Sequence, residues 1–220
     1  MSIRIPALPV SRSFTLFACL AGFLCSTTVF AETPDPMEPF RADTLERIRY
    51  TQTIRIGNRE AAYPFSFLDE QKVARGYSVD LCLKVVERLR KELNLPNLKT
   101  EFVTVSGAKR IPRLLDGSID MECGSTTNTK ARQEKMAFSY TIFVAGMKIL
   151  SRADAKVADI ESLDKKTVAL SKGTTSEKLF TQVRDKDLPG MQLKQYPGNK
   201  EALQALIEGA VVAFPQDDIL

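Results

Sequence analysis

Twice along these 220 residues a strand-length run of alternating or β-branched residues is followed by a helix, a second strand, a second helix and a third strand. In the first pass the alternating run Thr53-Ile54-Arg55-Ile56-Gly57 reads as a strand. Ser78 then caps a helix whose apolar face takes Val79, Leu83, Val86 and Leu89. A strand over 100–105, a helix over 111–115 stopped by Gly117, and a strand over 119–122 complete the unit. After a β-rich stretch at 138–150 the grammar returns: strand 167–170, helix 175–184, strand 191–195, helix 199–208, strand 211–214. The repetition predicts an α/β fold of two lobes, 51–145 and 146–220, preceded by a leader and short helix over 32–50. Parallel sheets of this kind hold ligands beyond the carboxyl ends of their strands, so the expected site is a cleft between the lobes.

The N-terminus places the chain outside the cytoplasm. Arg4 and Arg12 precede an uncharged apolar run from Phe14 to Cys25, and small or polar residues lead to Ala31. This is the three-part pattern of a secretory signal peptide, with cleavage expected after Ala31. The run is too short for the ~20 residues that span a bilayer, which argues against a retained anchor. Lipidation is not expected, because Leu24 stands before Cys25 where a small residue is wanted and Phe17 spoils the sequence before Cys19. Losing Arg4 and Arg12 lowers the formal charge from +4 to +2, with both signs interleaved, so nothing suggests nucleic acid. Cys82 and Cys123 remain. An oxidising periplasm allows them to pair, while two buried free thiols are the alternative, and sequence supplies no distance to decide. No histidine occurs anywhere, and two cysteines this far apart have no metal-ligand spacing, so neither a metal nor another cofactor is implied.

Candidate binding residues cluster in loops that follow strands. Thr174 and Thr175 lie in the run Thr174-Thr175-Ser176-Glu177, a capping box whose helix N-terminus offers free backbone N–H groups to an anion such as a carboxylate. Gly124-Ser125-Thr126-Thr127-Asn128 is a second cluster of hydroxyl and N–H groups, leading to a short helix that Thr129 can cap. Arg132 falls in the first turn of that helix, where the dipole disfavours a cation. Its partner is either a ligand carboxylate or an acid such as Glu134 or Asp120. Arg59 and Arg110 also end strands, and a planar guanidinium suits two-point contact with a carboxylate. Asp217 is the one acid placed to meet an amino group, with a helix cap as its plainer reading. Three arginines, two hydroxyl clusters and one acid describe a dicarboxylic amino acid better than a sugar or a metal ion. Catalytic residues are not expected: the chain has no histidine, no nucleophile elbow and no nucleotide fingerprint.

Several runs carry a family resemblance. They are Gly57-Asn58-Arg59-Glu60 with Tyr63-Pro64-Phe65-Ser66-Phe67, then Gly76-Tyr77-Ser78-Val79-Asp80-Leu81, then Glu122-Cys123-Gly124-Ser125-Thr126-Thr127-Asn128-Thr129 with Arg132 and Ala137-Phe138-Ser139. With Ser171-Lys172-Gly173-Thr174-Thr175-Ser176-Glu177 and Val212-Ala213-Phe214 to Asp217-Asp218, they resemble family 3 of the bacterial periplasmic solute-binding proteins, and most closely its glutamate/aspartate-binding branch. The resemblance implies a monomeric two-lobed clamp that closes on an amino acid and presents it to a membrane ABC permease. It also implies that Arg132, helped by Ser125, Thr127 and Thr174, grips the α-carboxylate. Asp217 then takes the α-amino group, and Arg59 and Arg110 meet the side-chain carboxylate. Two positions depart from the branch: Gly107, beside Ser106, stands where it often has serine, and Asn199 where some members have histidine. Members of the branch continue well past Asp217, so the chain reads as C-terminally truncated with its second lobe incomplete. The rival readings are the sensor domain of a receptor and a periplasmic dehydratase on the same fold.

Overall fold

A computed structural model describes residues 43–220. The signal peptide, its cleavage point, Cys19, Cys25 and most of the acidic leader lie outside the described residues. The predicted short helix is α1 (Thr44–Thr51), capped by the Asp43 carboxylate, which accepts from the Leu45 N–H at 2.8 Å. Ile48 buries into the first core, and Arg47 forms a buried ion pair with Asp120, tying the helix to the lobe that follows.

In that lobe β1 (Thr53–Asn58), β5 (Lys99–Thr104) and β6 (Met121–Glu122) form a parallel sheet in the order β5-β1-β6. The alternation seen in the sequence sends Ile54 and Ile56 into a core with Val86, Leu98 and Cys123. Val86 belongs to α2 (Tyr77–Glu92). This helix begins at Gly76, not at a Ser78 cap. Gly76 has φ +123°, and Ser78 is buried inside the first turn. A disulfide joins Cys82 of α2 to Cys123 just after β6, with Cα atoms 6.3 Å apart, which closes the question that spacing left open. Between β1 and α2 lies a small antiparallel sheet of β2 (Ala61–Ala62), β3 (Ser66–Leu68) and β4 (Ala74–Arg75) that sequence periodicity did not indicate. The short helices α3 (Arg110–Leu115) and α4 (Lys130–Gln133) follow β5 and β6.

In the second lobe the order is β7-β10-β8-β9, from β7 (Met147–Ser151), β8 (Thr167–Ser171), β9 (Gln192–Tyr196) and β10 (Ala213–Asp217). The strand β7 runs antiparallel to β10 and the other pairs are parallel. The sheet is covered on both faces. Val168 and Leu170 pack with Phe180 of α5 (Thr175–Lys186), whereas Ala169 packs with Ala202, Ala205 and Leu206 of α6 (Asn199–Ile207). Burial on both faces explains why β8 reads as a continuous apolar run. Two expectations are corrected. Of the stretch 138–150 only β7 is strand, and residues 138–146 are largely exposed irregular chain. The last strand starts at Ala213 and runs through Asp217, because Pro215 and Gln216 pair with Ile149 and Lys148 of β7. No helix among the described residues is long and apolar enough to cross a membrane.

Candidate functional site

Every strand-end loop singled out in the sequence opens toward one cleft. Arg59 follows β1, Arg110 starts the helix after β5, and Ser125 and Thr127 follow β6. Across from them, Thr174, Thr175 and Ser176 start α5 after β8, Asn199 starts α6 after β9, and Gln216 and Asp217 end β10. These residues and Leu220 line a tight cavity of about 10 Å³. Larger but unrelated, a surface hollow of about 360 Å³ beside α6, lined by Lys194, Tyr196, Glu201 and Glu208, contains none of these groups.

The arginines are held by backbone. The Arg59 N–H donates to the Ser66 hydroxyl at 2.9 Å and its carbonyl accepts from Asn58 Nδ2 at 3.1 Å, so the small sheet fixes the direction of its side chain. Gly124 leaves room for it: a Cβ there would stand 2.8 Å from Arg59 Cγ and 2.3 Å from Glu122 Oε1. Arg110 is only 2% exposed. Its Nη2 donates to the Gly173 carbonyl at 3.3 Å, and its Nε has neither solvent nor an acceptor. Arg132 does not line the cavity with the others. It donates to the Thr127 carbonyl at 2.8 Å and, through Nη2, to the same Gly173 carbonyl at 3.1 Å. Asp120, one acid considered as its partner, is engaged by Arg47 and Arg55.

Gly173 is therefore one of the points where the lobes touch. Its φ of +79° is a left-handed conformation that glycine adopts without penalty, and a Cβ would lie 2.6 Å from both Ala108 Cα and the Gly107 carbonyl oxygen. Beside it, the capping box is present with a shift. Thr174 Oγ1 accepts from the Glu177 N–H at 3.1 Å, while Glu177 reaches back to the N–H of Gly173 at 2.7 Å, one residue before the cap. Thr174 Oγ1 also donates to the Ser171 carbonyl at 2.7 Å, so what remains for a ligand is mainly its backbone N–H. The Thr127 and Thr175 hydroxyls face each other across the lobes at 3.5 Å.

The electrostatics are those of a site short of anions. Burial and the neighbouring Arg110 push the Arg59 guanidinium down to about 10, against the pull of Glu122. Burial likewise lowers Arg110, with Glu122 and Asp217 opposing, and burial and Arg110 lower Arg132. None of the three makes an ion pair within 4 Å among the described residues. Asp217 is pushed up by burial and by Asp218, and Arg110 opposes the shift. Sequence reasoning did not select Gln216, Ser176 or Leu220, and it noted Asn199 only as a departure. The signal for Gln216 was its place beside Asp217, but a neutral amide carries no charge argument.

Residues 54–219 match the family model of bacterial extracellular solute-binding proteins, family 3. The chain is 43% identical over 178 residues to the L-glutamate/L-aspartate-binding protein of Pseudomonas aeruginosa, covering 80% of this chain and 59% of that one. It is 37% identical over 186 residues to the glutamate/aspartate import solute-binding protein of Escherichia coli strain K12, covering 84% and 62%. The chain thus spans about six-tenths of the length of these curated relatives. Among solved structures, the cysteine-binding protein of Campylobacter jejuni superposes with a TM-score of 0.70 at 26% identity, covering 80% of this chain and 67% of that one. An ancestral amino acid-binding protein, a precursor of cyclohexadienyl dehydratase, superposes with a TM-score of 0.65 at 33% identity, covering 80% and 74%. With three quarters of its length matching that family model, this chain is a member of family 3 of the bacterial extracellular solute-binding proteins.

Proposed function

We propose that the chain captures an acidic amino acid, glutamate or aspartate, between lobes 51–145 and 146–220, and presents it as a periplasmic monomer to a membrane ABC permease. The observation that carries this reading is Arg110, a buried guanidinium with, among the described residues, no partner for its Nε and no carboxylate within 4 Å. A buried cation of this kind calls for an anion, and a ligand carboxylate supplies one. Charge counting points the same way. Among the side chains that line the cavity, Arg59 and Arg110 set against Asp217 leave a charge of +1, which an acidic amino acid of net charge −1 neutralises and glutamine does not.

In this reading Arg59 and Arg110 hold the side-chain carboxylate. Arg132, Ser125, Thr127 and the first turn of α5 at Thr174 and Thr175 hold the α-carboxylate, and Asp217 takes the ammonium. The relatives' names support both the ligand class and capture without turnover. Equilibrium dialysis with radiolabelled L-glutamate tests the reading. Unlabelled L-aspartate should displace the label, L-glutamine and L-histidine should do so poorly, and the ligand should be recovered unchanged. Failure to retain any label, or conversion of the ligand, would sink it.

A further inference from the structure

Gln216 sits in β10 one residue before Asp217 and is 9% exposed. Its Oε1 accepts from the Asp217 backbone N–H at 3.1 Å. That contact decides which end of the carboxamide is which, because the flipped amide would set N–H against N–H. Nε2 is consequently the free end. It is shut off from solvent and has no acceptor among the described residues, yet the residue lines the cleft. Buried amide donors normally find an acceptor, and one left without is a place where something is missing. Asn199 also lines the cavity and is held there by the Ser171 hydroxyl, which donates to its Oδ1 at 2.8 Å.

We propose that Gln216 is a ligand-contacting, specificity-determining residue whose Nε2 donates a hydrogen bond to a carboxylate oxygen of the bound amino acid. The inference rests on the acidic amino-acid reading above and deepens it. An NH₂ group can only donate, so Gln216 favours an oxygen at the position it faces and disfavours a ligand amide NH₂ there. It adds to the arginines a neutral donor that brings no further charge into a site already at +1.

Isothermal titration of the purified chain with L-glutamate and L-glutamine, for the wild type, Gln216→Met and Gln216→Glu, tests this. Gln216→Met keeps the volume and removes the donor, and should weaken L-glutamate about tenfold, the loss expected for one hydrogen bond to a charged acceptor. Gln216→Glu keeps an acceptor for the Asp217 N–H and turns the free donor into an acceptor. It should weaken L-glutamate further and narrow the preference for L-glutamate over L-glutamine. Thermal unfolding without ligand separates a structural role, since both variants should melt within a few degrees of wild type. Gln216→Met binding L-glutamate within twofold of wild type would overturn the inference while leaving the proposed function standing. So would losses of affinity that merely track losses of stability. A wild-type chain that binds neither ligand would overturn both.

Discussion

Replacing Arg110 with methionine should separate stability from binding. Arg110 is 2% exposed, donates one hydrogen bond of 3.3 Å to the Gly173 carbonyl, and has a buried Nε without an acceptor among the described residues. Its charge is disfavoured chiefly by burial, and the carboxylates that oppose this, Glu122 and Asp217, lie beyond 4 Å. Replacing a buried ion pair by apolar side chains is often neutral or stabilising by about 1–4 kcal/mol, and an ion with no carboxylate within 4 Å has still less attraction to lose. At roughly 2–4 °C per kcal/mol for a chain of this size, the unliganded Arg110→Met variant should melt at the wild-type temperature or several degrees above it. Binding should move the other way. Losing one partner of a buried, hydrogen-bonded charge pair costs about 2–5 kcal/mol, so Kd for L-glutamate should rise roughly 30-fold to a few thousand-fold. The assay is a thermal melt without ligand paired with a calorimetric titration. A variant that melts more than about 5 °C lower would show that Arg110 serves the fold. An unchanged Kd would show that its charge is not aimed at the ligand.

Gly173→Ala should loosen the contact between the lobes, since its Cβ would stand 2.6 Å from Ala108 Cα and the backbone is left-handed there. Small-angle scattering should report a larger radius of gyration and titration a weaker Kd, and a variant as compact as wild type would refute the contact. Reducing the Cys82–Cys123 disulfide, which spans 41 positions, should cost about 4 kcal/mol on the chain-entropy model and lower the melting temperature by roughly 8–16 °C; a change under about 2 °C would contradict it. Acidification should weaken L-glutamate binding before an ordinary aspartate would titrate, because Asp217 is pushed up and loses its charge at higher pH. The unliganded protein has the opposite sign. Its folded state holds the proton more tightly than the unfolded chain, so the Asp217 contribution to stability improves as pH falls through that window. Comparing Asp217→Asn with wild type isolates this component, since the ligand's own carboxylates titrate identically in both.

The sheets and main helices were legible in the sequence because their periodicity is imposed by burial. Ile54 and Ile56 alternate into one core, and β8 is apolar on both faces because α5 and α6 cover it. The arginines were legible because a cation at a strand's carboxyl end is exposed to a simple charge argument. What escaped notice depends on contacts between distant segments. The strands β2, β3 and β4 have two or three residues each, too few for a period. The Gly173 carbonyl accepts from two arginines of the other lobe, which no local pattern reveals. The orientation of Gln216 rests on a single hydrogen bond to the next residue's backbone. The stretch 138–150 misled because its apolar and β-branched residues read as β-rich, whereas only its end is strand and Tyr140 and Val144 are among the most exposed large side chains described.

Calorimetric titration of the wild-type chain with L-glutamate, followed by L-glutamine under the same conditions, tests the central claim most directly. A cavity whose lining sets Arg59 and Arg110 against Asp217 alone should bind L-glutamate with one-to-one stoichiometry and clearly more tightly than L-glutamine. Equal affinity for the two, or binding of L-glutamine alone, would contradict the account.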